Sequence, residues 1–225
     1  MTETDNYQFD SLKFKLIVIG DQSTGKSSLI NRYLKDTFEE NCQSTIGIDF
    51  QTKTVNIHDQ EVRIIIYDTA GQEKFRSIIP MYIREAQVIL FIYDISNKLS
   101  FDSIPNWFSE VLNIKNEEAI FILIGNKMDL DYRREVKYEE GEKLANEKNI
   151  YFEEVSAKTG KNINELFTYK IYEEIYKKFK YKFNEKKNEE NSNYNIYEYT
   201  ENTINNLKIE KNMNNNQQKK KKKCC

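Results

Sequence analysis

The chain has 225 residues and a net charge of −2, but five positive charges fall in Lys219 to Lys223, so the rest carries −7. A body of that sign is a poor partner for nucleic acid, and the basic run points to a partner of its own. Three cysteines (Cys42, Cys224 and Cys225) cannot build a disulfide framework and suit a reducing compartment such as the cytosol.

Residues 1–12 read as a flexible start, too polar for a signal peptide. Lys13 to Ile19 is then an apolar run of strand type, and Gly20-Asp21-Gln22-Ser23-Thr24-Gly25-Lys26-Ser27 fits G-x-x-x-x-G-K-[ST] directly after it. The stretch Ser28 to Leu34 is amphipathic at helical spacing. A buried strand, this loop and a helix together make a phosphate cradle: glycines let backbone N–H groups wrap a β-phosphate, and the helix N-terminus adds partial positive charge. Lys26 would span the β- and γ-phosphates, and Ser27 would offer its hydroxyl to Mg²⁺.

Lys35 to Gly47 has no periodicity and reads as a long loop of the kind that carries function. Ile48 to Ile57, a polar turn His58-Asp59-Gln60 and Val62 to Tyr67 read as a hairpin of two strands, with His58 a solvated turn residue. Three further strand and helix alternations follow. They are Val88 to Asp94 with Phe101 to Ile114, Ala119 to Gly125 with Tyr138 to Lys148, and Ile150 to Val155 with a helix bearing Ile163, Phe167, Ile171, Ile175 and Phe179 at spacing four. The apolar runs among them are far short of the ~20 residues that cross a bilayer. This order predicts an α/β fold, a doubly wound, mostly parallel six-stranded sheet with flanking helices, and ligands at the carboxyl ends of the strands. The domain is expected over residues 13–181, with residues 182–225 an asparagine-rich disordered tail in which Ile204 to Ile209 forms one short apolar segment.

Three elements at strand ends narrow the chemistry. Asp68 closes the third strand like a Walker-B carboxylate that holds Mg²⁺ through water. Gly71 has no side chain to keep its N–H from a γ-phosphate, and Gln72 beside it is placed to orient an attacking water. Asn126-Lys127-Met128-Asp129 closes the fifth strand, and its carboxylate can accept from both donors on the guanine edge, a pair that adenine lacks.

Together, Gly20 to Ser27, Thr45, Asp68 to Gln72, Asn126 to Asp129 and Ser156-Ala157-Lys158 resemble the full motif set of the Ras-superfamily small GTPases. Within it the chain is similar to the Rab family, through Ile46 to Phe50, Tyr67 to Glu73, Phe75-Arg76-Ser77 and the terminal Cys224-Cys225. Gly20 to Ser23, Gln43 to Phe50 and Phe75 to Arg84 resemble the Golgi-associated branch. The resemblance implies a slow GTP hydrolase cycling between GTP and GDP forms with Mg²⁺, with Gln72 and Lys26 as catalytic residues. It implies a nucleotide held by Ser23, Thr24, Gly25, Lys26, Ser27, Ser28, Phe38, Thr45, Gly71, Asn126, Lys127, Asp129, Ser156, Ala157 and Lys158, and Mg²⁺ held by Ser27, Thr45 and Asp68. Residues 38–47 and 70–84 would be switches ordered by the triphosphate. Ile46, Phe50, Tyr67 and Tyr82 would meet effectors such as tethers or motor adaptors, and Cys224 and Cys225 would carry prenyl groups.

The implied partners are an exchange factor, a GTPase-activating protein, a GDP-dissociation inhibitor, an escort protein and a membrane surface. The chain would act as a monomer between the cytosol and the cytoplasmic face of membranes, with the Golgi the expected one. Three positions depart from the commoner family pattern: Tyr67 stands where Trp is usual, Cys42 where Tyr is frequent, and Gln22 where many relatives carry Gly. A scaffold that binds GTP with negligible hydrolysis and a signalling GTPase of another branch are the alternatives. Hydrolysis assays separate the first, and effector capture the second.

Overall fold

The computed structural model describes residues 11–40, 45, 47–69, 78–115 and 119–188. The chain divides into two compact units, residues 1–180 and 181–225. In the first, six strands form one sheet: β1 (Leu12–Ile19), β2 (Ile48–Ile57), β3 (Gln60–Thr69), β4 (Val88–Asp94), β5 (Ile120–Asn126) and β6 (Tyr151–Glu154), in the spatial order β2-β3-β1-β4-β5-β6. Only β2 runs antiparallel, on β3; the other neighbours are parallel. The expected doubly wound α/β architecture is therefore the observed one. β4 is buried at every residue, as a strand covered by helices on both faces must be.

The β2–β3 turn is tighter than its sequence suggests. His58 and Asp59 both take left-handed backbone (φ 47 and 65), which makes a two-residue turn matching the twist of the strands, and Gln60 already pairs with Ile57. His58 is not simply solvated. Its ring stacks on Tyr176 at 3.7 Å between centroids and its Nε2 lies 3.0 Å from Glu173 Oε1, so the tip of the hairpin is docked on a helix.

The helices are α1 (Lys26–Lys35), α2 (Ile79–Glu85), α3 (Lys98–Asp102), α4 (Ile104–Ile114), α5 (Tyr138–Lys148) and α6 (Tyr172–Lys178). The single helix expected over 101–114 is two. Pro105 lacks an N–H and disfavours helical backbone before it, so it sits in the first turn of a new helix, while Asn97 caps α3 by accepting from the N–H groups of Leu99 and Ser100. The spacing of four in the last helix has a similar consequence. At 3.6 residues per turn, a repeat of four drifts by about 40° each time. The chain instead winds as a wider π-helix over Glu165–Ile171 before α6, which keeps Ile163, Phe167, Ile171 and Ile175 all buried.

In the second unit, residues 181–188 are helical, where the sequence predicts disorder from 182. Lysines and a glutamate, all good helix formers, account for the difference. The rest of that unit, including Ile204 to Ile209, Lys219 to Lys223, Cys224 and Cys225, lies outside the described residues. Among the described residues no helix is long and apolar enough to cross a membrane.

Candidate functional site

The β1–α1 loop holds its shape through two glycines. Gly20 has φ 150, and a Cβ there would lie 2.1 Å from the Ile92 carbonyl oxygen; Gly25 has φ 88, and a Cβ would lie 2.4 Å from Asn126 Nδ2. Lys26, the first residue of α1, turns its ammonium back over the loop and donates to the carbonyls of Gly20 (2.9 Å) and Asp21 (2.6 Å). Burial pushes this ammonium down to about 8, against the pull of the Asp68 and Asp21 carboxylates. A buried cation resting on neutral carbonyls is suited to an anionic ligand.

Ser27 Oγ lies 2.7 Å from Thr45 Oγ1, so the long loop after α1 reaches back to the phosphate-cradle motif. Asp68 is buried beside them at the end of β3. Burial raises the pKa of its carboxyl, opposed by the Ser27 hydroxyl and the Lys26 ammonium, and its Oδ1 is buried without a hydrogen-bond partner.

At the other end, Asn126 closes β5 and joins two loops. Its Nδ2 donates to the Thr24 carbonyl (2.9 Å), and its Oδ1 accepts from the Ala157 N–H (3.2 Å). Lys127 adopts left-handed backbone (φ 67) and its Nζ lies 2.7 Å from Asp94 Oδ2. Asp129 follows in a short 3₁₀ turn (Met128–Arg133), with Oδ1 accepting from Ser156 Oγ at 2.5 Å, while Ser156 Oγ also accepts from the Thr159 N–H. These elements enclose a cavity of about 470 Å³, in the range of small-molecule sites. Gln22, Ser23, Gly25, Lys26, Ser27, Ser28, Phe38, Thr45, Asn126, Lys127, Asp129, Ala157 and Lys158 line it.

Thr24 and Ser156 stand behind the lining as hydrogen-bond partners. Ile46, Gly71, Gln72, Cys42, Cys224 and Cys225 lie outside the described residues.

The sequence reading missed several contributors. Thr69 and Leu130 line the cavity and are each next to a residue it named, so adjacency was the available signal. Arg32 carries no motif, yet its guanidinium donates to the carbonyls of Ala157 (2.9 Å) and Lys158 (2.8 Å) and so fixes that loop against α1. The expected effector aromatics also separate. Phe50 is 67% exposed on β2, but Tyr67 is only 9% exposed and Tyr82 half-buried, because their rings pack edge to face at 4.8 Å.

A family model for the Ras family matches residues 15–177, most of the chain and all six strands except the first residues of β1. The chain belongs to the Ras family. Ras-family proteins are small GTPases, which in general bind GTP or GDP with Mg²⁺ and hydrolyse GTP. The residues present fit such a metal. Two hydroxyls 2.7 Å apart and a buried carboxylate with one oxygen lacking a hydrogen-bond partner form a hard, all-oxygen donor set, the chemistry that Mg²⁺ takes. Ser27, Thr45 and, through water, Asp68 would hold it.

Proposed function

We propose that the chain is a GTPase switch of the Rab kind that regulates vesicle transport, working at the Golgi. The observation that carries the switch reading is the Ser27 to Thr45 contact beside the Asp68 carboxylate, in the cavity whose far wall holds Asp129. It links the segment before β2 to the place where a terminal phosphate would sit. Mg²⁺ bound there would neutralise charge on the phosphate oxygens. Lys26, withdrawn from its two loop carbonyls, supplies a cation to the phosphates. Phe38 packs on the base, Asp129 accepts from its two donors, and Asn126, Ala157 and Lys158 hold the pocket's shape around it. Gln72 orients the attacking water, and Gly71 offers its N–H to the γ-phosphate. Loss of that phosphate releases the two switch segments.

Support for the Rab assignment comes from the motif resemblance and from Phe50, which stands exposed on the edge strand while Met81 is 55% exposed on α2 within the second switch segment. This surface recruits tethers or motor adaptors in the GTP form. Two prenyl chains on Cys224 and Cys225 anchor the protein, aided by about 1 kcal/mol for each of Lys219 to Lys223 near an anionic leaflet. A GDP-dissociation inhibitor masks the lipid in the GDP form. A fluorescently tagged chain is therefore expected on Golgi membranes, and the same chain lacking Cys224 and Cys225 in the cytosol. Equal distributions would contradict the anchoring, and a different membrane would contradict the Golgi assignment.

Gln22 lines the cavity where a small residue would leave room for a water and an arginine finger. Intrinsic hydrolysis is expected on the order of 10⁻⁴ s⁻¹ or less, raised about 10⁵-fold by an activating protein. In single-turnover assays Gln22→Gly should hydrolyse GTP faster than wild type. An equal or lower rate would remove Gln22 as the brake.

A further inference from the structure

We infer that Trp107 is a positioning residue for the nucleotide, acting through Asp21 of the loop between β1 and α1. Trp107 lies on α4, far from that loop in sequence, and its Nε1 donates to Asp21 Oδ1 at 2.8 Å. The indole is 4% exposed and belongs to the core cluster that contains Ile17 and Ile19 of β1 and Ile79 and Ile83 of α2. Its position is therefore set by packing, and the loop accommodates to it. Asp21 in turn is a junction. Its carbonyl oxygen accepts from Lys26 Nζ (2.6 Å) and from Thr24 Oγ1 (3.0 Å), while its carboxylate is held by the indole.

A buried indole N–H needs an acceptor, and any core carbonyl would serve. Here the acceptor is a charged side chain on the loop, and bonds of that kind are the shorter and stronger ones. The bond fixes the direction of the Asp21 peptide, hence the place from which Lys26 leaves for a phosphate. It also joins the loop to α2, since Ile79, Ile83 and Trp107 share one packed cluster. Sequence alone does not show this, because a tryptophan on the apolar face of a helix looks like any other core residue.

The test measures dissociation of GDP carrying a fluorescent ribose label from the full chain. Trp107→Phe keeps an aromatic ring and removes the N–H; Asp21→Ala removes the acceptor. Each should speed dissociation about tenfold, as loss of one charge-assisted bond implies, and the double variant should be no faster than the quicker single. Val111, fully buried on the same helix, is the control. Val111→Ala should lower the melting temperature and leave the dissociation rate at the wild-type value.

Trp107 is the only tryptophan in the chain, so its emission spectrum reports the bond directly, and Asp21→Ala should shift it. That arm stands alone should Trp107→Phe fail to fold. Wild-type dissociation from Asp21→Ala with an unshifted emission, multiplication of the two effects in the double variant, or an equal acceleration by Val111→Ala would each overturn the inference. The inference rests on the guanine-nucleotide reading of the cavity. A wild-type chain that retains no labelled GDP would sink that reading, whereas tight wild-type binding with unresponsive variants would sink the Trp107 role alone.

Discussion

Asp129→Asn should lower GDP affinity by about 100- to 1,000-fold. Asp129 lines the cavity with one carboxylate oxygen accepting from Ser156 Oγ at 2.5 Å, a bond that fixes the carboxyl plane in the cavity wall. In the proposed binding mode guanine would present two donors to that plane, its ring N1–H and its exocyclic amine. An amide in place of the carboxylate replaces one acceptor by a donor, so a charge-assisted bond is lost and a buried donor is left without a partner. Those two losses amount to about 3–4 kcal/mol, and the affinity ratio follows from them. The same variant should favour xanthosine diphosphate over GDP, because xanthine has a carbonyl where guanine has the amine. Competition of the two diphosphates against labelled GDP checks it. Undiminished GDP affinity would place the base elsewhere.

Arg134→Ala should lower stability by about 3–5 kcal/mol, or roughly 10 °C in melting temperature for a domain of this size. Glu154, at the end of β6, is 3% exposed, and its two oxygens accept from Arg134 Nη1 (2.6 Å) and Nη2 (2.8 Å) in a bidentate pair. Arg134 is further fixed by Asp131 and by the Val136 carbonyl. Removing the guanidinium leaves a carboxylate buried with no cation, and that is the costly half of breaking an ion pair. Lys143→Ala, which removes the partner of Glu147 at 4.0 Å on the outer face of α5, should change stability by less than about 0.5 kcal/mol. Thermal melts of the two variants beside wild type decide the matter. A small effect at Arg134 would mean that water reaches Glu154.

Features with a local cause were legible in the sequence. The buried run of β1, the glycines of the following loop and the amphipathic α1 each declare themselves within a few residues, and α5 falls on the predicted residues Tyr138–Lys148. The convergence of Thr69, at the end of β3 beside Asp68, and of Asn126, Lys127 and Asp129 on one cavity follows from topology, since parallel strands end on the same edge of the sheet. What escaped depends on contacts between distant segments. His58 looks like any turn residue until α6 brings Tyr176 under its ring. Tyr67 looks like a surface aromatic until Tyr82 covers it. Arg32 and Trp107 have no pattern around them, because their partners lie 125 and 86 residues away. Pro105 is different in kind: the signal for the break before α4 was in the sequence, and the apolar periodicity on either side of it hid the punctuation.

In the proposed function one cavity takes a guanine base at Asp129 and a metal-bound phosphate at Ser27 and Thr45, beside Asp68. Titration of the purified full chain with labelled GDP and labelled ADP, each with Mg²⁺ and with a chelator, tests both halves at once. The expected result is tight GDP binding, ADP binding weaker by at least about 1,000-fold, and a marked loss of GDP affinity when the metal is removed. Equal affinity for the two nucleotides, or GDP binding indifferent to the metal, would contradict it.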